Sequence, residues 1–353
     1  MATIPNSRSA SKAPAAITPS LRVVAIGGGT GLSTLLRGLK QYVAAPGSPK
    51  GKGCRIDPCR ISDLAAIVTV SDDGGSSGRL RSDLKMLPPG DVRNCMVALS
   101  EDEHLLSRLF QYRFDSGEGL EGHSFGNLFV AALSSITGDF AQAVQMSSQI
   151  LATRGRIYPA TNSNVTLAAL MDDGSIVRGE TNITASRQRI VELRLEPPDA
   201  APMRETLDAI AAADLITIGP GSLYTSLITN LLVSGVPEAI HAARATRVYV
   251  CNLMTQANES IGLSASQHIE RIFDHAGGRI FDYALVNTAP VSAALLSRYA
   301  AEGQQQIEAD LERIEALGVR AIPGNFVYEG GVLRHDYDRV TEVLLALGLQ
   351  GRL

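Results

Sequence analysis

The 353-residue sequence predicts a doubly wound α/β fold around a mostly parallel sheet. Three observations carry that prediction. Short apolar runs recur along the chain, and each ends in a loop rich in Gly, Ser or Thr. Long segments, several with helical periodicity, separate them, as crossovers between parallel strands must. The runs are mostly apolar rather than alternating, which marks strands covered on both faces.

The elements follow in order. Residues 21–26 (LRVVAI) lead into Gly27-Gly28-Gly29-Thr30-Gly31. Leu32, Leu35, Leu36 and Leu39 then recur at helical spacing. Residues 64–70 (LAAIVTV) end in Ser71-Asp72-Asp73-Gly74-Gly75-Ser76-Ser77-Gly78. Residues 213–218 (ADLITI) end in Gly219-Pro220-Gly221-Ser222, residues 247–253 (RVYVCNL) in Met254-Thr255-Gln256, and residues 282–287 (DYALVN) in Thr288. A helical stretch covers about residues 93–151. The period then changes. Residues 165–171 and 175–183 flank Asp172-Asp173-Gly174 as a hairpin, and residues 190–197 alternate apolar and charged as a half-exposed antiparallel strand. A small antiparallel β subdomain is therefore expected at about residues 155–200. A C-terminal segment, about residues 300–350, combines a helix at 307–317, a hairpin at 325–335 and a last helix at 338–347. Residues 1–20, rich in Ser, Ala and Pro, read as a disordered tail, and residues 21–350 as one domain.

Composition excludes several partners. With 32 Lys+Arg against 36 Asp+Glu the net charge is −4, without the basic surplus of a duplex-binding protein. Trp is absent and aromatics are 5%, so stacking platforms for single strands are scarce too, and no nucleic-acid partner is expected. The longest uncharged run, residues 215–237, is interrupted by Gly, Pro and Asn and is no membrane span. The N-terminus lacks a signal-peptide core. Cys54 and Cys59 lie in a Pro/Gly/Lys-rich loop, and Cys95 and Cys251 in apolar surroundings. That is no disulfide framework, and a reducing cytoplasm fits best.

The chemistry-bearing motifs are the loops at the strand ends. Gly27 to Gly31 lack Cβ atoms except at Thr30 and open a helix, so the backbone can approach a phosphate there. This reading is favoured over a mere tight turn. A dinucleotide fingerprint fails at Leu32, and a P-loop lacks its Lys. Gly74, Ser76 and Gly78 satisfy G-x-S-x-G, but Ser71-Asp72-Asp73 intervene after the strand, against a hydrolase elbow. Asp72 and Asp73 could hold Mg²⁺ beside phosphates or could bond backbone amides in their own loop, and both readings stay open. They are also the only candidates for catalytic carboxylates. Asp91 reads as the N-cap of a helix, with Arg93 and Asn94 facing a ligand or solvating the helix start. His123, before Asn127, reads as structural. Gly219, Gly221, Ser222 and Thr225 form a second strand-to-helix glycine turn. In an open α/β sheet, ligands bind outside the carboxyl ends of the strands. These loops, with Asn252 to Gln256, would project from that one edge and embrace a phosphate-bearing, nucleotide-sized ligand.

Read together, GGGTGLSTLLRGLK, IVTVSDDGGSSGRLR, PPGDVRN, GHSFGNL, SSITGDF, GPGSLYTS, CNLMTQANES and the late RHD resemble the YvcK-type gluconeogenesis factors, a CofD-like family. The resemblance runs from about Leu21 to Leu347. This family is a sister of the 2-phospho-L-lactate transferases, which share the GGTG start and a Rossmann-like fold. The resemblance implies a cytoplasmic regulator that binds UDP-sugars, UDP-N-acetylglucosamine in particular. Such a regulator is needed for cell shape and wall synthesis during gluconeogenic growth, through a protein partner of the wall-synthesis machinery. A homo-oligomer is expected. The alternative is a Mg²⁺-dependent transferase of phosphorus-containing groups, as in the sister family. The family's UDP-sugar residues fall here on Tyr299 of Arg298-Tyr299 and on Arg334 of Arg334-His335-Asp336. Ser76, Ser77 and Asn127 are carried as further ligand candidates. The family's regulatory phosphorylation site, a Thr, is replaced by Tyr337, which leaves that regulation open here. The loop at 45–58 reads as an addition without assigned function.

Overall fold

Seven parallel strands make the main sheet, in the order β10-β9-β8-β7-β1-β2-β3. The computed structural model describes residues 20–45, 48, 53–101, 105–186 and 188–351, so the expected N-terminal tail, apart from Ser20, lies outside the described residues. In chain order the strands are β1 (Leu21–Gly27), β2 (Ile61–Val68), β3 (Arg156–Pro159), β4 (Thr166–Met171), β5 (Ile176–Arg178), β6 (Ile190–Glu196), β7 (Leu215–Ile218), β8 (Thr246–Val250), β9 (Tyr283–Asn287), β10 (Arg320–Gly324), β11 (Val327–Glu329) and β12 (Leu333–His335). The doubly wound α/β prediction holds, with β3 and β10 added beyond the five expected strands.

The apolar run of β1 after Arg22 has the predicted cause. Val24 and Ile26 enter the core on one face of the sheet, and Val23 and Ala25 the core on the other. Helix Gly29–Lys40 buries Leu32, Leu35, Leu36 and Leu39 on the second face, as their spacing required. The antiparallel sheet β5-β4-β6 forms at the predicted insertion. Its Leu167, Ala169, Leu193 and Leu195 join the first core beside Ile216 and Ile218. The second arm of the expected hairpin ends at Arg178, and Glu180–Ala185 is a helix instead of strand. Gly179, at φ +87°, makes that break.

At the C-terminus, β11 and β12 form the expected hairpin, and helix Tyr337–Gln350 packs beside helix Gly29–Lys40. The helix expected at 307–317 is confined to Leu311–Ala316. Cys54 and Cys59 are joined by a disulfide, which corrects the expectation of reduced thiols throughout; their Cα atoms stand 5.5 Å apart. Cys95 and Cys251 are free and buried. No helix among the described residues is long and apolar enough to cross a membrane.

Candidate functional site

β1 pairs with β2 on one side and β7 on the other, so the chain's winding reverses between β1 and β7. That is the switch point where a crevice forms outside the strand ends. A cleft of about 530 Å³ opens there. Both glycine turns line it, through Gly28, Gly29, Thr30 and Gly31 on one side and Pro220, Gly221 and Ser222 on the other.

The turns touch. A Cβ on Gly31 would run into the carbonyl of Pro220, so only glycine lets the two loops close on each other. Gly29 sits at φ +61°, the left-handed region that starts helix Gly29–Lys40. Asn252, after β8, locks the second turn: its amide accepts from Gly221 N at 3.2 Å and donates to Gly221 O at 2.7 Å.

The electrostatics of the turns were not visible in the sequence. Asp91 does not cap its own helix, Gly90–Leu99, whose N-cap is Pro89. Its Oδ2 accepts the Gly29 amide at 2.8 Å, across 62 residues. The correction has a plain cause. The helix starts at Gly90, one residue before Asp91, so Asp91 lies within the first turn and its carboxylate is free to reach the next helix. Burial pushes its pKa up to about 6, against the pull of the Gly29 amide. At the second turn Glu259 accepts from Tyr224 N at 3.1 Å and from the Thr225 hydroxyl at 2.9 Å. These groups open a π-helix, Leu223–Ile228. Glu180, from the inserted subdomain, also lines the cleft. Burial first, then Asp72 and Asp91, raise its pKa to about 9.

Residues of the C-terminal segment also line the cleft. Tyr299, Leu333, Arg334, His335 and Tyr337 all line it. Tyr299 Oη accepts the Leu333 amide at 3.1 Å, pinning β12 to helix Ala293–Ala300. His335 donates Nε2–H to Cys251 O at 3.0 Å and fixes β12 to the end of β8; burial lowers its pKa to about 4, so it is neutral. Arg334 is exposed between these anchors, and its guanidinium makes no ion pair with the described residues.

Of the predicted ligand residues, the structure thus gathers Gly28, Gly29, Thr30, Gly31, Gly221, Ser222, Tyr299 and Arg334. Gly27 ends β1, and its carbonyl accepts from Asn230 at 3.0 Å. Gly219 makes the turn at φ +83°. Thr225 is spent on Glu259. Ser76 and Asn127 bond each other at 3.0 Å in a neighbouring cluster with His123, and Ser77 is buried under Gly90.

The paired Asp residues part company. Asp72 Oδ1 accepts from Gly74 N at 2.9 Å, the loop-ordering role, while its other oxygen faces Gly90 and its charge raises the pKa of Asp91 and Glu180. Asp73 Oδ1 accepts both the amide and the hydroxyl of Thr181, at 2.8 and 2.7 Å, and docks helix Glu180–Ala185. Asp73 does not line the cleft. Sequence reasoning missed Asp91, Glu180 and Glu259 as site residues. Asp91 lies in PPGDVRN and Glu259 in CNLMTQANES, but neither string tells that its carboxylate serves an element remote in sequence.

Comparison with known proteins agrees with this architecture. The family profile described as 2-phospho-L-lactate transferase CofD matches residues 23–327. A gluconeogenesis factor of Halalkalibacterium halodurans is 48% identical over 324 residues, 92% of this chain and 95% of that protein. The gluconeogenesis factor of Bacillus subtilis is 44% identical over 327 residues, covering 92% and 98%. A crystal structure of a UPF0052-family protein from Bacillus halodurans superposes with a TM-score of 0.86 at 47% identity, over 93% of this chain and all of that one.

Proposed function

The chain belongs to the CofD family and groups with its gluconeogenesis factors, and from that premise we propose that it is a cytoplasmic regulator that binds a UDP-sugar, UDP-N-acetylglucosamine foremost. Ligand binding would report the state of gluconeogenic growth to a protein partner in wall synthesis and cell shape. One observation supports this above the others. Tyr299 and Arg334, remote from the glycine turns in sequence, line the same cleft as those turns. Arg334 is an unpaired planar fork suited to a diphosphate, and Tyr299 offers a ring face for a base or sugar. The free amides of Thr30 and Gly31, which a helix's first turn cannot bond internally, complete the phosphate side.

Mg²⁺ fits as a companion of the diphosphate. Asp91 and Glu180 line the cleft; Asp72 raises the pKa of both, and Asp91 raises that of Glu180 further. A cation relieves such crowding. Among the described residues no group of three His, Cys, Asp or Glu is spaced to hold a metal. One or two carboxylates with phosphate oxygens and waters is the usual Mg²⁺ arrangement. Asp73, committed to Thr181, does not fit.

Calorimetry on the full chain tests the reading. Tyr299→Ala or Arg334→Ala should weaken UDP-N-acetylglucosamine at least tenfold, about 1.4 kcal/mol. Unchanged affinity in a folded variant removes these residues from the site. A transferase remains the second reading, because Asp91, with a pKa near 6, is poised as an acid or base in the cleft. UDP-sugar and Mg²⁺ incubated with the protein should release no UDP or UMP above a blank. Steady release that disappears in Asp91→Asn or Asp72→Asn would make it an enzyme.

A further inference from the structure

Arg93 carries a largely buried guanidinium with no carboxylate partner. It follows Asp91 by two positions in helix Gly90–Leu99, so it leaves a different face of that helix. Its stem lies against the first turn of helix Phe125–Thr137, where a Cβ on Gly126 would come within 2.8 Å of Arg93 Cδ. Nη2 donates to Asn94 Oδ1 at 2.7 Å, but Nε is buried with no partner. Burial lowers the pKa, and Arg113 lowers it further, outweighing the opposite pull of Asp91 and Asp72. A cation held this way is costly unless an anion meets it.

The surroundings have the same sign. Two helix N-termini converge here. Ser76, in the first turn of helix Gly75–Leu84, accepts from Asn127 in the first turn of helix Phe125–Thr137 at 3.0 Å. Helix Gly75–Leu84 brings its unbonded first-turn amides and both helices a positive dipole end, while at helix Phe125–Thr137 the Phe125 amide donates to Tyr112 O and the Asn127 amide to Ser124 Oγ. His123 Nδ1 shares a hydrogen bond of 2.9 Å with Ser76 Oγ. Burial, Arg79 and Arg113 lower the His123 pKa, with only Asp83 opposing. Arg79 and Arg113 donate to the carbonyls of Glu121 and Gly122. None of the three arginines makes an ion pair among the described residues. Asn127, 2% exposed, leaves its Oδ1 without a partner. A half-turn of this amide would keep the bond to Ser76, with the hydroxyl donating, and would present the NH₂ instead.

We propose that this cluster is a second anion subsite, built by Arg93, Arg113 and Arg79 around Ser76, His123 and Asn127, which takes the phosphoryl or carboxylate group of a second small ligand. It does not depend on what the nucleotide-sized cleft binds. The cluster combines the helix end at Gly75–Leu84 with guanidinium forks, the chemistry that recognises oxyanions.

The test is thermal unfolding of the full chain with inorganic phosphate or acetate, at ionic strength held constant with chloride. The background is Arg334→Ala, which removes the cleft's own free cation. Phosphate should still raise Tm in that background. Adding Arg93→Gln or Arg113→Gln should weaken the apparent phosphate affinity at least tenfold. Without phosphate, Arg93→Gln should hold or raise Tm, because it removes an unpaired buried charge. Arg113 is exposed, so Arg113→Gln reads the subsite without touching the core. Protection by acetate that is lost in the same variants assigns a carboxylate ligand, and protection by phosphate alone assigns a phosphoryl group. Absence of protection by both anions in the Arg334→Ala background, or equal protection with Arg93→Gln and Arg113→Gln, overturns the proposal.

Discussion

The two glycine turns that meet at the cleft share a device and put it to different ends. Each opens a helix whose early amide is taken by one of the protein's own carboxylates. Glu259 holds the Tyr224 amide and the Thr225 hydroxyl and is buried. Its hydrogen bonds pull its pKa down, but burial prevails and raises it. Asp91 holds the Gly29 amide and lines the cleft. The first is a lock, shut away from ligand. The second lines the cleft, so under the proposed function a diphosphate must neutralise it, displace it or bridge to it through a cation. A glycine-rich helix start is therefore not by itself a vacant anion site. The residue that occupies it, and how exposed that residue is, decides what can bind.

The largest effect should come from breaking the lock. Glu259→Ala strands the Tyr224 amide and the Thr225 hydroxyl inside the protein and should cost about 3 kcal/mol. Urea unfolding measures it, and a cost below about 1 kcal/mol would mean that the two turns are not distinguished as described. Next is the contact that both turns share. Gly31→Ala pushes a methyl into the Pro220 carbonyl and should cost about 2 kcal/mol. It should also weaken UDP-N-acetylglucosamine, because the cleft walls are forced apart. A normal melting curve with normal binding would show that the turns tolerate separation.

The smallest effect has the opposite sign. The folded pKa of Asp91, about 6, lies above its ordinary value of 3.8. The native state therefore binds more protons between about pH 4 and 6, and stability falls as pH rises through that window. Asp91→Asn keeps an acceptor for Gly29 and removes the charge. It should flatten that pH dependence and stabilise the free protein at pH 7.5 by about 1 kcal/mol, less than full linkage because the residue is only half-buried at the cleft wall. Mg²⁺ should stabilise the wild type more than the variant. A variant less stable than wild type at pH 7.5 would make Asp91 a second lock.

The fold was legible where strands are covered on both faces. The five strands read from the sequence are β1, β2, β7, β8 and β9, all interior to the sheet. The two that escaped, β3 and β10, are its edges, and each contains a proline, Pro159 and Pro323. An edge strand is covered less and tolerates Pro, so it lacks the apolar run that marks an interior strand. The glycine turns were legible for a similar reason, since their demand on the backbone is local. Tyr299 and Arg334, which line the cleft, were put forward through family resemblance alone, because nothing in the spacing of Arg298-Tyr299 or Arg334-His335-Asp336 speaks of a ligand.

What the sequence alone determined is whatever neighbouring residues decide among themselves: apolar runs that must be strands, leucines at helical spacing, and glycines where the backbone must turn sharply. What only the tertiary structure decided is which charge meets which helix end. Asp91 reads as a cap for its own helix, yet it serves Gly29, 62 residues away. Asp73 reads as a metal ligand or a loop brace, yet it anchors the inserted subdomain through Thr181, across 108 residues. A carboxylate's role depends on the donors and charges within a few ångströms of it. The chain brings those together only when the sheet is wound, so no window of sequence contains them.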